Sequence, residues 1–402
     1  MNKLKSTLLG AIALAAVAAP AAAQTNVKIG ILSDMSSLYT DLAGAGSVLA
    51  ARMAAEDFGA AAKGIRVEFV SADHQNRADV GSNVARQWYD RDNVDVIVDV
   101  PNSAVALAVN ESTKDKNKVF LVSGAASSAL TGASCSPNTV HWTYDTWALA
   151  NGTGRAIVQT GGDTWFFLTA DYAFGHQLET DTANVVRQLG GRVVGGVRHP
   201  LNTNDFSSFL LQAQSSRAKI VGLANAGGDT TNSIKQAAEF GIVRRGQSLA
   251  GLLIFLTDVH GLGLETAQGL IFTEAFYWDQ NDASRAFARR FAAANRGIHP
   301  TMVHAGVYSS VIHYLKAVEA GRSAADGKAV VDRMKATPTE DPLFGRGSVR
   351  ADGRKIHDMY LFEVKKPSES RGAWDYYKLR ATIPAAQAFR PIGEGNCPLV
   401  RG

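Results

Sequence analysis

Short apolar runs alternate with helical segments along most of the chain, and this alternation limits the fold more than any other feature. "VKIGIL" precedes the helical pattern "AGSVLAARMAAEDFG", and "IRVEFVSADHQN" precedes "ADVGSNVARQWYDRDN". The runs are continuously apolar, which is typical of parallel strands buried on both faces. Repeated strand–helix units therefore predict an α/β protein with mainly parallel sheets that helices cover on both faces.

The same alternation starts again near Thr146, with "TWFFLTAD" and "KIVGLANA" as strands. A chain of 402 residues is too long for one core and suits two domains. Because no linker rich in Gly, Pro or Ser separates the halves, we predict two similar three-layer lobes joined by short crossings. The predicted boundaries are 25–143 plus 276–345 for the first lobe and 144–275 plus 346–402 for the second.

The alternation stops in the last third of the chain. "LAGLLIFL" predicts the last strand of the second series, and two helical patterns, "DASRAFARRFAAANRG" and "TMVHAGVYSSVIHYLKAVEAG", come after it. The segment "GRGSVRADGRKIHDMYLFEVKK" predicts a hairpin with its turn at Ala351, Asp352 and Gly353. An irregular tail is predicted beyond the hairpin.

The N-terminus has the three parts of a secretory signal peptide. "MNKLK" supplies positive charge, a run of about 16 small apolar residues follows, and Ala21 to Ala23 offers a small-residue cleavage site. A membrane-spanning helix needs about 20 apolar residues, more than this run provides. We therefore predict a signal peptide over 1–23 and a mature protein exported to the periplasm of a Gram-negative bacterium.

Composition limits the class of protein further. A hydrophobic content of 46% with 19% charged residues is typical of a globular chain. The net charge of +4 is spread without a basic block, so nucleic acid is not a predicted partner. The two cysteines, Cys135 and Cys397, predict one disulfide in an oxidising compartment, and two buried free thiols are the alternative.

Signals for catalysis or a cofactor are absent from the sequence. Gly44-Ala45-Gly46 lies between a strand and a helix, as in a dinucleotide-binding turn, but the third glycine position is Leu49. A helix start that allows close backbone approach explains the pair. There is no G-x-S-x-G elbow, no H-E-x-x-H and no paired metal-ligand spacing. We predict no catalytic residues, no metal and no cofactor.

The strand-to-helix loops are the predicted ligand site, because open α/β sheets bind ligands at the carboxyl ends of their strands. In the first half these loops are "SDMSSLYTDLAGAG", "DVPNSAVA" and "SGAASSALTG". They offer hydroxyls, backbone N–H groups and the aromatic Tyr39 to a small anion, although helix capping alone also explains Asn102 and Ser103. The loops of the second half contribute Tyr172, Phe174, Asn225, Asp229 and Asp258.

These loops and their order resemble the periplasmic Leu/Ile/Val-binding proteins of ABC importers. The resemblance rests on "SSLYTDLAGAG", "VPNSAVALAV", "SGAASSALTG", "TADYAFG" and "LANAGGDTTNSIKQA", and it covers essentially the whole mature chain. It implies the type I periplasmic-binding fold with three hinge crossings between the lobes, a ligand closed between them by a hinge motion, and no chemistry. It also implies an inner-membrane permease and ATPase as partners, and we expect a monomer.

The resemblance assigns roles to individual residues. It places Asn102 or Ser103 at the ligand carboxylate, together with Ala125, Ala126 and Ser127. Tyr39 and Tyr172 match aromatic residues that cover the ligand from the first and second lobes. Family members that bind α-amino acids place a second-lobe acidic residue against the ammonium, and its nearest matches are Asp258 and, less directly, Asp229.

The ligand class stays open at the level of sequence. A branched-chain or related amino acid is the first expectation, and a small aromatic carboxylate of the benzoate or cinnamate type is the alternative. An aromatic acid has no ammonium and would leave a desolvated Asp unpaired, which is costly. Two other classes also remain: a sensory module that reports a ligand to a membrane receptor, and a periplasmic hydrolase.

Overall fold

The structure is a computed structural model that describes residues 24–400. The predicted signal peptide over 1–23 lies outside the described residues. Within them, the helices, strands and turns follow the predicted alternation from Thr25 to Gly251 closely.

The first lobe is built on a sheet of five parallel strands in the order β2-β1-β3-β4-β5. These strands are β1 (Thr25–Ser33), β2 (Ile65–Asp73), β3 (Val96–Asp99), β4 (Val119–Val122) and β5 (Thr139–His141). The helices between the first four strands are α1 (Gly44–Phe58), α2 (Ala78–Asp90) and α3 (Ser103–Asp115). Every residue of β3 and β4 is buried, as expected for a parallel sheet covered on both faces.

The second lobe is built on four parallel strands in the order β7-β6-β8-β9. The strands are β6 (Thr164–Ala170), β7 (Arg192–His199), β8 (Ile220–Ala224) and β9 (Ser248–Gly251). Two helices joined by a π-helical turn over Ala150–Gly154 precede this sheet, α4 (Thr146–Leu149) and α5 (Arg155–Gln159). The remaining helices are α6 (Ala173–Gln188), α7 (Ser207–Ser215), α8 (Gly228–Glu239), α9 (Leu256–Leu262) and α10 (Leu264–Ala267).

After β10 (Ile271–Glu274) the chain returns to the first lobe. It forms α11 (Asp282–Ala294), α12 (Met302–Gly321), α13 (Gly327–Ala336), β11 (Thr339–Asp341), β12 (Gly345–Val349) and β13 (Lys355–Ile356). Helix α12 packs along α1, where a β-carbon on Gly46 would lie 2.3 Å from Nε2 of His304. Gly46 thus serves close helix packing. The predicted hairpin turn at 351–353 joins β12 to β13.

The C-terminal part adds an antiparallel sheet to the second lobe. Strands β14 (Met359–Val364) and β15 (Tyr377–Ile383) pair with each other, and β14 pairs with β10. The prediction of an irregular tail is therefore wrong for β15. Four of its seven residues are exposed, so "YKLRATI" lacks the apolar run that marks the buried strands. A short helix, α14 (Ala385–Ala388), follows.

Up to the end of β15, the chain passes between the two lobes three times, at 142–145, 275–281 and 357–358. The prediction of an α/β protein with two lobes and mainly parallel sheets is confirmed. Cys135 and Cys397 form the predicted disulfide, with their Cα atoms 5.6 Å apart. Among the described residues, no helix is long and apolar enough to cross a membrane.

Candidate ligand-binding cleft

A narrow cavity with room for about one water molecule lies between the two lobes, at the carboxyl ends of their parallel strands. From the loops of the first lobe and the first crossing it is lined by Tyr39, Leu42, Pro101, Gly124, Ala126 and Tyr144. The second lobe contributes Tyr172, Phe174, Ala226, Leu253 and Phe255. Five of these side chains are aromatic, and none of the lining residues in the described part of the chain carries a formal charge.

The loop after β1 is folded around the carboxylate of Asp34, which is fully buried. This carboxylate accepts the backbone N–H groups of Ser37 at 2.9 Å and Tyr39 at 2.7 Å, and also the amide of Asn76 at 2.6 Å. An aspartate that binds its own following backbone is a standard way to fix a turn. Asp34 therefore determines where the Tyr39 ring lies.

The Tyr39 ring meets the second lobe directly. Its hydroxyl lies 2.6 Å from the hydroxyl of Tyr172, which belongs to the loop after β6. Burial is the main cause that raises the pKa of both phenols, so both stay protonated. Gly227 completes the contact, because a β-carbon there would lie 2.6 Å from the carbonyl oxygen of Leu38. The lobes are closed on each other.

The residues matched to a ligand carboxylate form a connected group. The Oδ1 atom of Asn102 accepts the N–H groups of Ala104 and Val105 and so caps α3. Oγ of Ser103 accepts the N–H groups of Ala126 and Ser127 at 3.3 and 3.2 Å. These bonds are long, and a ligand carboxylate would make stronger, charge-assisted ones to the same donors.

The acidic and amide residues predicted in the second lobe do not line the cavity. Asp229 accepts the backbone N–H groups of Asn202 and Thr203, and burial raises its pKa to about 6. Asn225 is fully buried and binds His199, Thr230 and Ser233 within its own lobe.

Asp258 lies next to the cavity, in a neighbouring groove between the lobes that Asp41 and Lys235 also line. One oxygen of its carboxylate accepts the N–H of Phe255, and burial raises its pKa to about 7. Among the predicted residues, the structure therefore brings Tyr39, Ala126, Tyr172 and Phe174 together at the cavity wall. Asn102, Ser103, Ala125 and Ser127 lie directly behind that wall.

Sequence reasoning missed two aromatic residues of the cavity. Tyr144 lies in the first crossing between lobes, where its hydroxyl donates to the carbonyl of Gly124 at 2.6 Å. Phe255 belongs to "LAGLLIFL", which was predicted to be a strand throughout, but β9 ends at Gly251 and α9 begins at Leu256. The Asp258 carboxylate caps α9 by accepting the Phe255 N–H, so the chain begins a helix here and does not continue as a strand. An acidic residue at the third helical position is the sequence signal of such a cap.

No group of His, Cys, Asp and Glu side chains within residues 24–400 could hold a metal ion. The cavity offers aromatic faces, hydroxyls and backbone N–H groups. This combination suits a small ligand with one anionic group and an apolar body.

Comparison with known proteins agrees with this geometry. Residues 26–372 match the family described as periplasmic binding protein. A crystal structure of a periplasmic binding protein from Burkholderia mallei is 52% identical, with a TM-score of 0.91, and the match covers 94% of this chain and 99% of that one. A branched chain amino acid ABC transporter periplasmic ligand-binding protein from Burkholderia xenovorans LB400 is 41% identical, with a TM-score of 0.82 and coverage of 93% and 99%.

A more distant solved structure shares the fold. It is an ABC transporter solute binding protein from R. palustris in complex with benzoate, 21% identical with a TM-score of 0.79, and the match covers 89% of this chain and 96% of that one. The predicted resemblance to the periplasmic binding proteins of ABC importers is confirmed. This chain belongs to the periplasmic binding protein family.

Proposed function

We propose that this protein is the solute-binding component of an ABC importer and that it captures a small carboxylate between its lobes. The observation that carries the proposal is the cavity enclosed by strand-end loops of both lobes, with Tyr39 and Tyr172 in contact across it. The name of the 41% identical relative supports the assignment to a transporter. The protein itself performs no chemistry and delivers its ligand to a membrane permease.

The carboxylate of the ligand is held by the loop after β4. The N–H groups of Ala126 and Ser127 turn from Ser103 Oγ to the ligand, and the freed Ser103 hydroxyl donates to it as well. Three donors then replace the hydration of the carboxylate. A positively charged side chain is not required, because buried carboxylates are stabilised by several well-placed N–H and O–H donors.

The lining of this cavity favours an aromatic carboxylate, and the lobes must move apart to admit it. Five aromatic rings surround the space, and aromatic pairs gain stability beyond the area they bury. An α-amino acid brings an ammonium, and neither Asp229 nor Asp258 lines the cavity to receive it. Unpaired, a buried ammonium costs several kcal/mol. The benzoate complex of the R. palustris relative supports the same ligand class.

A branched-chain amino acid is the second candidate, and the position of Asp258 favours it. Asp258 lies in the groove beside the cavity, three residues from Phe255, which is part of the cavity wall. Only one of its carboxylate oxygens has a hydrogen bond among the described residues. A ligand that extends past Leu42, which lines both spaces, would reach the other oxygen with an ammonium.

The family of the protein suggests where it acts and which partners it has. We infer a cleaved signal peptide, a periplasmic location, an ABC permease and ATPase as partners, and a monomeric state. A sensory role is the main competitor, because a closing binding protein can also report to a membrane receptor. Deletion of the gene separates the two: loss of uptake of the ligand supports transport, and normal uptake supports sensing.

A thermal-shift screen tests the ligand class, with benzoate, 4-hydroxybenzoate, leucine and valine, with benzamide as the matched neutral control, and with sugars and metal cations as unrelated ligands. A ligand that binds only the folded state stabilises it by about 2.7 kcal/mol at a hundredfold excess over Kd. We expect the benzoates to raise Tm by several degrees and benzamide to have no effect. A rise with leucine alone would select the amino-acid candidate, and a rise with sugars or cations alone would overturn the carboxylate site.

The same ligand should be recovered unchanged after long incubation with the protein, as measured by liquid chromatography and mass spectrometry. Conversion of the ligand would support a hydrolase instead.

A further inference from the structure

The last part of the chain, residues 384–400, runs from the second lobe to the first. It starts on the second lobe, where the carbonyl of Gln387 accepts the side-chain amide of Asn151 at 2.9 Å. The N–H of Ala385 donates to Asp358 at 2.8 Å, close to the third crossing. We call residues 384–400 the tail.

The middle of the tail packs against the third crossing and against Arg354, which bonds to the first crossing. Phe389 is 4% exposed and packs its ring 4.1 Å from the guanidinium of Arg354 and 5.2 Å from the ring of His357. Arg354 is fully buried and donates to the carbonyls of Trp142 and Tyr144 in the first crossing. Phe389 thus covers the position where the first and third crossings are bonded together.

The end of the tail is attached to the loop after β4. Arg390 donates to the carbonyl of Ser128 at 2.9 Å, and its own carbonyl accepts from Arg350 at 2.8 Å. Gly132 leaves room for the tail, since a β-carbon there would lie 2.7 Å from the carbonyl oxygen of Gly395. The disulfide between Cys135 and Cys397 then fixes the two segments covalently.

Ser128 connects the tail to the loop after β4, in which Ala126 lines the cavity. Its N–H donates to Thr146 Oγ1 at 3.2 Å and its hydroxyl to Asp181 at 3.0 Å, both in the second lobe. Arg390 donates to the remaining polar group of the residue, the carbonyl, which also accepts from Thr131 Oγ1 at 3.5 Å. The neighbouring Ser127 and Ala126 carry the N–H groups that we assign to the ligand carboxylate.

We propose that the tail is a fourth connection between the lobes and that Arg390 is a positioning residue for the ligand-binding loop. This inference rests on the proposed function, because the loop matters only if it binds the ligand. Arg390 fixes the Ser128 carbonyl, and the disulfide keeps Arg390 in place. The loop is thereby held in its binding geometry before a ligand arrives, which lowers the entropic cost of binding.

The first test needs no ligand. Amide hydrogen exchange over 123–131 is compared between the wild type, Arg390→Gln and the double variant Cys135→Ser/Cys397→Ser, with Arg289→Gln as the control on the exposed face of α11. We expect at least fivefold faster exchange in this loop for Arg390→Gln and for the double cysteine variant, and no change for Arg289→Gln. Unchanged exchange in both variants would overturn the proposal.

The second test measures Kd by calorimetry with benzoate, or with leucine if only leucine stabilises the protein in the screen. Loss of one hydrogen bond to a charged donor predicts a Kd about tenfold weaker for Arg390→Gln. Arg390→Lys should keep most of the wild-type affinity, because the lysine ammonium can donate to the same Ser128 carbonyl. A Tm drop in both variants without any change in Kd would mean that Arg390 has a merely structural role and would overturn the proposal.

The proposed transport function and the proposed role of Arg390 can be contradicted independently. If neither probe binds, the transport assignment fails, and the exchange data still decide whether the tail fixes the loop. If benzoate binds all variants equally, the assignment stands and the role of Arg390 is wrong.

Discussion

At the scale of single residues, the cleft depends on one hydroxyl pair. Tyr39 and Tyr172 join the lobes through a 2.6 Å contact, and both rings also line the cavity. Removal of a ring and removal of a hydroxyl therefore test different contributions. In the proposed site, the ring supplies apolar area to the ligand, whereas the hydroxyl stabilises the closed state.

Tyr39→Phe should weaken Kd by a few-fold, because one hydrogen bond contributes about 1 kcal/mol. Tyr39→Ala should weaken it by more than tenfold, since it also removes the ring. Both proteins should stay folded, as measured by circular dichroism, with Kd measured by calorimetry. Tyr360→Phe, in β14, is the matched control. Unchanged affinity for Tyr39→Ala would remove this loop from the site.

A second residue-scale feature is a lysine buried without a partner. Lys355 has no exposed surface, and its ammonium lies 4.4 Å from the Phe344 ring and 5.1 Å from the Trp142 ring without a hydrogen bond among the described residues. Burial lowers its pKa to about 7. An unfolded lysine has a pKa of about 10.4, so the unfolded state binds more protons between these two values.

Stability should consequently rise with pH from about 7 to about 10, with a slope of up to about 1.4 kcal/mol per pH unit from this lysine. Lys355→Met should remove this slope and raise the free energy of unfolding at pH 7, because the thioether fills the same apolar space. Urea unfolding at several pH values measures both effects. Lys114→Met, on the exposed face of α3, should keep the wild-type slope, and an unchanged slope in Lys355→Met would contradict the assignment.

At the scale of elements, the packing of α1 on α12 explains the glycine pair that resembles a nucleotide turn. A β-carbon on Gly46 would lie 2.3 Å from the His304 ring, whose Nε2 bonds to the Ala43 carbonyl at 2.8 Å. The helix start is thus tied to a helix that is more than 250 residues away in the sequence. This contact could not be read from a local pattern.

Gly46→Ala should destabilise the protein by about 1–3 kcal/mol, the usual cost of overpacking a buried position. Gly261→Ala is the matched control in α9, where a β-carbon would meet nothing within 4 Å. There, alanine should be neutral or stabilising by up to about 1 kcal/mol, owing to its better helix propensity. Equal effects of the two substitutions on the free energy of unfolding would show that helix propensity, and not packing, determines the stability of both variants.

The sequence was informative where one face of an element is continuously apolar. Strands β6 and β8, which the runs "TWFFLTAD" and "KIVGLANA" predict, are buried almost throughout, whereas the edge strands β2 and β7 are mostly exposed or half-buried. Sequence reasoning failed at β15, which is half-exposed, and at β5, whose three residues are too few for a pattern. It also could not tell that Asp229 binds a backbone turn of its own lobe, because capping and ligand binding use the same residue type.

At the scale of the whole molecule, the proposed function depends on the closure of two lobes, and Gly227 lies where they touch. Its φ of 57° is in the left-handed region that favours glycine. Its missing side chain lets the second lobe approach the Leu38 carbonyl and the Tyr39 ring. A ligand is enclosed only if this approach is complete, and it stabilises the closed state by its preference for that state.

Gly227→Ala should therefore weaken Kd by at least tenfold and increase the radius of gyration of the ligand-saturated protein in small-angle X-ray scattering. Gly246→Ala separates closure from backbone strain, because Gly246 has a φ of 96° but a β-carbon there would meet nothing within 4 Å. Both substitutions cost stability through the left-handed backbone, by about 1–2 kcal/mol. Only Gly227→Ala places an atom between the lobes, so a parallel loss of affinity in both variants would mean that the Gly227 contact does not limit closure.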